Sequence, residues 1–177
     1  RDLAQRAAIS APMVERLDSN GPRPAALVLA PTRELASQIV DEMESICRAR
    51  ALKIAAVYGG VGINPQIKAV RKAHIVVATP GRLLDHMRFP YAALRGVEIL
   101  VLDEADRMLD MGFLPDVKRI LRQIPYERQT LFFSATMPPP IGALSRDMLK
   151  NPVTIAIQRK AAPASGMKQS SAVTRRS

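Results

Sequence analysis

The feature that most constrains the fold is a regular alternation of short apolar runs with longer segments of helical periodicity. The helical segments lie at 32–50, 64–72, 81–87, 116–123 and 139–149, and the apolar runs at 26–30, 54–57, 75–78, 97–102, 130–133 and 153–157. The runs at 75–78 and 97–102 are apolar at almost every position, which is typical of strands covered on both faces. The pattern therefore predicts an α/β fold over residues 1–157, with a mostly parallel sheet and helices on both faces.

The alternation stops at Gln158. Residues 158–177 are rich in Ala, Ser, Lys and Arg and contain no acidic residue, so we expect a flexible basic linker or tail. The single cysteine, Cys47, excludes an internal disulfide. The apolar runs are far shorter than a membrane span and the first residues lack a signal-peptide pattern, so we expect a cytoplasmic protein without membrane contact.

The chain carries a formal charge of +10, and this charge is unevenly placed. Residues 51–100 hold seven basic and two acidic residues, and residues 151–177 hold five basic and none acidic. A basic surface favours phosphate backbones, although it also serves simply to keep a protein soluble. Aromatic residues make up 4% of the chain, which disfavours base stacking as the main mode of binding and favours contacts to a backbone.

An acidic segment, Asp103-Glu104-Ala105-Asp106, directly follows the apolar run at 97–102. Ligands of open α/β sheets bind at the carboxyl ends of the strands. An Asp and a Glu delivered there suit nucleotide hydrolysis, since the first carboxylate holds Mg²⁺, usually through water, and the second orients or activates the attacking water. An isolated Asp-Glu pair would more simply cap the next helix, but the longer string through Phe113 favours the hydrolytic interpretation.

Three further strand ends carry residues that suit phosphate. After two of these strands a helix begins, and the free backbone N–H groups at a helix N-terminus bind anions. After the third strand comes a glycine pair, which allows a ligand to approach the backbone closely. Capping or a simple turn explains each one alone. Together, on successive strands, they predict a groove along a sugar-phosphate backbone, formed by Pro31, Thr32, Arg33, Gly59, Gly60, Thr79, Gly81 and Arg82.

A fourth strand end carries Ser134 and Thr136, which precede three prolines and a helical segment. The simplest interpretation is that one of them caps that helix. A role in coupling parts of a site is equally open.

Taken in order, these segments resemble the motifs of the DEAD-box ATP-dependent RNA helicases. Asp103-Glu104-Ala105-Asp106 spells the motif that names the family, 31–36 resembles motif Ia, Gly59-Gly60 the double-glycine motif, 79–82 motif Ib, and Ser134-Ala135-Thr136 motif III. The likeness extends over residues 23–157, and 59–66 is similar to the bacterial RhlE-type subgroup.

The resemblance implies a RecA-like, P-loop NTPase-type domain that uses ATP and Mg²⁺. It implies that Asp103 and Glu104 contact the nucleotide site, with Asp103 holding Mg²⁺ through water, and that the catalytic set is Asp103, Glu104, Asp106, Ser134 and Thr136. The groove residues would bind single-stranded or duplex RNA through its backbone without reading sequence. A second RecA-like domain normally follows in the same chain.

One motif of the family is absent. A phosphate-binding loop, Gly-x-x-x-x-Gly-Lys-Ser/Thr, should precede motif Ia, but the first glycine is Gly21 and the first lysine is Lys53. The upstream glutamine motif is absent as well. Residues 1–4 resemble the segment that leads into the loop and 9–17 the helix that follows it, so the domain is incomplete on its N-terminal side. Without the loop, little grips the β- and γ-phosphates.

The motifs and the missing loop lead to two hypotheses about the function. The leading hypothesis is the N-terminal ATP- and RNA-binding half of a DEAD-box helicase, in which ATP hydrolysis drives local unwinding of RNA, inactive as this chain alone. The alternative is a non-catalytic RNA-binding remnant of a helicase. The spelling of the acidic motif disfavours a DNA helicase of the same superfamily.

Overall fold

The computed structural model describes residues 3–157 and 169–173. Seven strands form one sheet, and helices pack on both of its faces. The strands are β1 (Ala26–Leu29), β2 (Ile54–Val57), β3 (Ile75–Ala78), β4 (Ile99–Leu102), β5 (Gln129–Ser134), β6 (Val153–Ile157) and β7 (Gln169–Val173). The helices are α1 (Leu3–Arg16), α2 (Arg33–Ala49), α3 (Ile63–Lys72), α4 (Pro80–Met87), α5 (Ala105–Asp110), α6 (Leu114–Leu121) and α7 (Pro139–Met148), with a 3₁₀ turn at Pro90–Ala92.

The strand order is β2-β3-β1-β4-β5-β7-β6, and the first five strands are all parallel. Leu29 lies level with Ala78 on one side and with Leu102 on the other, and Leu102 lies level with Phe132. This register brings the carboxyl ends of β1, β3, β4 and β5 to one edge of the sheet. The sequence prediction of a mostly parallel α/β sheet is confirmed.

Successive residues of the central strands point to opposite faces, as the pleat requires. Leu27, Leu29 and Leu100 pack into a core beneath α3 to α7, whereas Val28 and Val101 pack into a second core beneath α1 and α2. Strands buried on both faces explain why these runs are apolar at nearly every position.

The N-terminal segment differs from the prediction. The sequence suggests a segment at 1–4 separate from a helix at 9–17, but α1 runs unbroken from Leu3 to Arg16. No glycine stands before Gly21 to interrupt it, and Ala, Gln and Arg favour helix. The residues before Pro12 therefore favour helix, whereas Pro12 lies inside α1 and opposes it.

The prediction of a tail without regular structure is wrong at Gln169–Val173, where β7 lies between β5 and β6 and is antiparallel to both. A backbone placed there satisfies N–H and C=O groups that both neighbours would otherwise leave unpaired. The rest of the predicted tail, 158–168 and 174–177, lies outside the described residues. In the described part of the chain, no helix is long and apolar enough to cross a bilayer.

Candidate nucleotide and nucleic-acid site

The acidic motif lies where the register predicts, at the carboxyl end of β4. The backbone N–H of Asp103 donates to the carbonyl of Leu29 at 3.0 Å, so the end of β4 is fixed against β1, and Asp103 is buried. Glu104 has left-handed backbone angles, with φ 52° and ψ 53°, which turns the chain sharply into α5. Its carboxylate lies 3.5 Å from Nη1 of Arg107. Asp103 and Glu104 therefore both follow the carboxyl end of β4 at the sheet edge.

Asp106, Ser134 and Thr136 form one hydrogen-bonded cluster between α5 and β5. The buried Ser134 Oγ accepts from the Asp106 backbone N–H at 3.1 Å and donates to the Thr136 carbonyl at 2.7 Å. The Thr136 backbone N–H and hydroxyl both donate to Oδ2 of Asp106, at 3.1 and 2.9 Å. The cluster joins the chain that follows β4 to the chain that follows β5.

The capping interpretation of Ser134 and Thr136 is wrong. Helix α7 begins at Pro139, its N-cap residue is Pro138, and no side chain caps it. Both hydroxyls bind within the Asp106 cluster instead, and the coupling role stays a prediction.

The start of α2 places Arg33 on the same sheet edge. Thr32 is the N-cap residue, and its hydroxyl accepts from the Leu35 N–H at 3.2 Å, so capping accounts for this hydroxyl. The exposed Arg33 guanidinium lies over the ring of Tyr58, with Cζ 5.1 Å from the ring centroid. Tyr58 is a residue that sequence reasoning missed, although an aromatic residue directly before Gly59-Gly60 is a visible signal.

The start of α4 places a second arginine nearby. Thr79 precedes the helix without a side-chain cap. Arg82 donates from Nη1 to the Val61 carbonyl at 2.9 Å. Its Nε lies 3.7 Å from Oδ2 of Asp85. The predicted groove residues of three segments are thus brought together, because Arg33 lies against the glycine loop from α2 and Arg82 from α4.

We expect Gly60→Ala to lower the free energy of unfolding by about 1 kcal/mol, because Gly60 has φ +81° and a side chain is strained there. The new Cβ would also lie 3.3 Å from Nη1 of Arg33, so we expect weaker RNA binding. Gly59→Ala is the matched control, since a Cβ there meets nothing within 4 Å. Urea unfolding of the two variants checks this, and equal stability would contradict it.

A buried row of polar groups supports the glycine loop from below. Gln66 donates from Nε2 to the Tyr58 carbonyl at 2.9 Å, so its Oε1 faces Nε2 of His86, 3.1 Å away. Since Oε1 only accepts, His86 carries its proton on Nε2, and Nδ1 accepts from the Tyr91 hydroxyl at 2.7 Å. His86 is thus a core residue with both ring nitrogens hydrogen-bonded, and it is 0% exposed.

Burial lowers the pKa of His86 from 6.5, the Arg82 guanidinium lowers it further, and the Asp85 carboxylate opposes the shift. The unfolded chain therefore takes up this proton at higher pH than the folded chain. The contribution of His86 to stability is complete above pH 6.5 and is lost as the pH falls from there toward the lowered pKa. We expect His86→Gln to flatten the fall in unfolding free energy between neutral and mildly acidic pH, measured by urea unfolding. An unchanged pH profile would contradict the assignment.

Comparison with known proteins agrees with the motifs. The DEAD/DEAH box helicase family model matches residues 7–144. DEAD-box ATP-dependent RNA helicase CshA of Bacillus licheniformis is 43% identical over 164 residues, which are 92% of this chain and 34% of that protein. ATP-dependent RNA helicase CshA of Listeria monocytogenes is 46% identical over 155 residues, 87% of this chain and 30% of that protein. The chain thus spans about a third of the length of these curated relatives. Because they are CshA helicases, the RhlE-type expectation is not confirmed.

Two solved structures share the fold. A DEAD box protein from Methanococcus jannaschii has a TM-score of 0.78 and 45% identity, over 83% of this chain and 40% of that one. A hypothetical ATP-dependent RNA helicase from Sulfolobus tokodaii has a TM-score of 0.74 and 42% identity, over 83% of this chain and 43% of that one. The motifs, their positions on the sheet edge and these matches lead to one conclusion: the chain belongs to the DEAD/DEAH box helicase family.

Proposed function

We propose that this chain is the N-terminal half of an ATP-dependent RNA helicase and that, by itself, it binds single-stranded RNA along the backbone without hydrolysing ATP. The observation that carries the proposal is the convergence of Arg33, Arg82 and the glycine loop at the sheet edge that also presents Asp103 and Glu104.

The groove suits phosphates better than bases. It offers the N-termini of α2 and α4, two arginine side chains and a loop in which Gly60 has no side chain to obstruct a ligand. N–H groups and guanidinium groups bind phosphate oxygens and carry no sequence information. Binding through them is sequence-independent and falls as salt rises.

The nucleotide site supports only part of the family chemistry. ATP is the family's nucleotide, and the carboxylates of Asp103 and Glu104 are oxygen ligands that suit Mg²⁺ through water. The triphosphate, however, needs a cradle of N–H groups and a lysine, and the sequence lacks both. The carboxylates present therefore suit Mg²⁺, whereas the loop that would hold the triphosphate is missing.

In the longer protein we expect a second RecA-like domain to complete the site, duplex RNA to be unwound locally, and the protein to act in the cytoplasm. The test is RNA-stimulated phosphate release by that longer protein with a phosphate-binding loop inserted between Ala4 and Ile9, since the loop is missing from the part of the domain that this chain contains. Glu104→Gln should abolish the release, because Glu104 is the residue placed to orient or activate water. Release that is absent, or unchanged in the variant, would overturn the assignment.

The alternative, a non-catalytic RNA-binding remnant, is favoured by the missing phosphate loop. It also predicts that this chain binds RNA. In contrast to the first proposal, it predicts that the longer protein releases no phosphate. Photo-crosslinking of thiouridine-substituted RNA to the chain tests what both share. Crosslinks should include peptides that contain Arg33, Gly60 or Arg82, and the absence of crosslinks from all three would contradict the groove.

A further inference from the structure

An exposed aromatic pair follows α4, away from the acidic motif and the groove. The rings of Phe89 and Tyr91 stack with centroids 5.9 Å apart and an angle of 9° between their planes. Phe89 is 51% exposed, so part of a large apolar ring faces solvent. Nothing in the proposed helicase chemistry accounts for this pair.

The pair is held rigidly. Tyr91 donates its hydroxyl to the buried His86, and the two rings meet edge to face with centroids 5.8 Å apart. His86 binds Gln66, which binds the carbonyl of Tyr58 at the start of the glycine loop. One row of hydrogen bonds therefore joins the aromatic pair to the groove. A preorganised ring loses little conformational entropy when a ligand stacks on it.

Positive charge lies against one side of the pair. The Arg71 guanidinium lies over the Tyr91 ring, with Cζ 5.4 Å from the centroid. Helix α3, which carries Arg71, contains three basic residues and no acidic residue. The exposed Asp85 lies against Arg82, and Arg88 lines a cavity with Asp85 and Asp116 between α4 and α6. The surface formed by Phe89, Tyr91 and Arg71, the aromatic platform, thus combines an open ring face with positive charge.

We propose that the aromatic platform is a second RNA contact, where a base of a single strand stacks on Phe89 and a neighbouring phosphate lies against Arg71. The inference rests on the proposed function, since it extends the same strand beyond the groove. Helix α4 has eight residues, or about 12 Å, and its two ends adjoin the groove and the platform. A single strand of RNA that crosses the groove therefore has to extend only about 12 Å further to reach the platform.

The chemistry favours RNA over a protein partner. Stacking on an aromatic face tolerates any base, and the neighbouring cation matches a phosphate that follows. A protein interface of standard size buries about 800 Å² on each partner around an apolar centre. The platform offers a single strongly exposed apolar side chain, Phe89.

The test is fluorescence anisotropy of labelled oligouridine with the 177-residue chain and its Phe89→Ala variant. For RNA of about 16 nucleotides we expect the variant to bind at least about fivefold more weakly, the lower end of what one stacked base contributes. Phe89→Tyr keeps the ring face and should restore binding. Tyr126→Ala is the matched control, because Tyr126 is also exposed and has Lys150 over its ring, 5.6 Å from the centroid; we expect no change in its affinity.

The salt dependence separates stacking from charge. Phe89→Ala should leave the slope of log K against log salt unchanged, whereas Arg71→Gln should make it shallower by about 0.7, as expected for one lost phosphate contact on a single strand. If the wild-type chain binds no RNA, the proposed function fails together with this inference. If it binds through Arg33 and Arg82 but Phe89→Ala binds equally well, the platform is wrong and the proposed function still stands.

Discussion

A variant of this chain in which a phosphate-binding loop is inserted between Ala4 and Ile9 is expected to bind a fluorescent ATP analogue with Mg²⁺ at least roughly a hundredfold more tightly than the chain as it stands. The estimate assumes two charge-assisted hydrogen bonds to phosphate, at about 1.5–3 kcal/mol each. The loop supplies a lysine and a cradle of backbone N–H groups, while Asp103 and Glu104 already follow the carboxyl end of β4.

The matched control is the same insertion with its lysine replaced by alanine, which should lose most of the gain. Circular dichroism shows whether each variant keeps its helix and strand content. Micromolar binding of the analogue by the original chain would contradict this account of the nucleotide site. A folded loop variant that still fails to bind would show that more than the loop is missing.

The second large effect is expected in the groove. Replacing Arg33 and Arg82 together by glutamine should weaken binding of single-stranded RNA by more than tenfold at low salt, since each arginine offers charge-assisted hydrogen bonds to phosphate. The slope of log K against log salt should become shallower by about 1.4, for two phosphate contacts on a single strand. Binding titrations over a range of salt concentrations measure both quantities.

A control must remove the same charge elsewhere. Arg48 and Arg122 are exposed and lie at the ends of α2 and α6, at the opposite edge of the sheet. Their double glutamine variant has the same net charge as the groove variant, and we expect it to bind nearly as well as the wild-type chain. Equal losses in the two double variants would mean that total charge, and not the groove, controls binding. Arg33→Lys retains charge without a planar fork and should lie between the extremes.

The sheet was predictable from the sequence because burial on both faces leaves a plain pattern. Strands such as β3 and β4 must be apolar at every position to fill two cores at once, and their carboxyl ends follow from parallel order alone. The motifs after β1, β3, β4 and β5 therefore fall on one edge. The observed ends of the strands differ from the predicted ends by only one or two residues. For example, β4 begins at Ile99, whereas the predicted run begins at Val97.

The strand β7 was not predictable, because Gln169–Val173 has little apolar character to indicate a strand. Its place is determined by unpaired backbone groups of β5 and β6, and these become visible only when the sheet is assembled. Nearly all residue types carry the same backbone N–H and C=O groups, so this kind of pairing leaves no pattern in a sequence.

The polar row beneath the glycine loop was missed for a related reason. Gln66 binds a backbone carbonyl eight residues before it and a histidine 20 residues after it, and neither spacing is a motif. In the sequence, a polar glutamine on α3 looks like an ordinary surface residue. Only the packing of α3 against α4 shows that its amide has two partners.

The measurement that tests the central claim most directly is a titration of the 177-residue chain with labelled single-stranded RNAs of different sequence, over a range of salt concentrations, with and without ATP and Mg²⁺. The account predicts saturable binding of similar affinity for all sequences and no effect of ATP. It also predicts that log K falls by at least about 1.4 for each tenfold rise in salt concentration. Absence of binding, dependence on one sequence, or affinity indifferent to salt would contradict it.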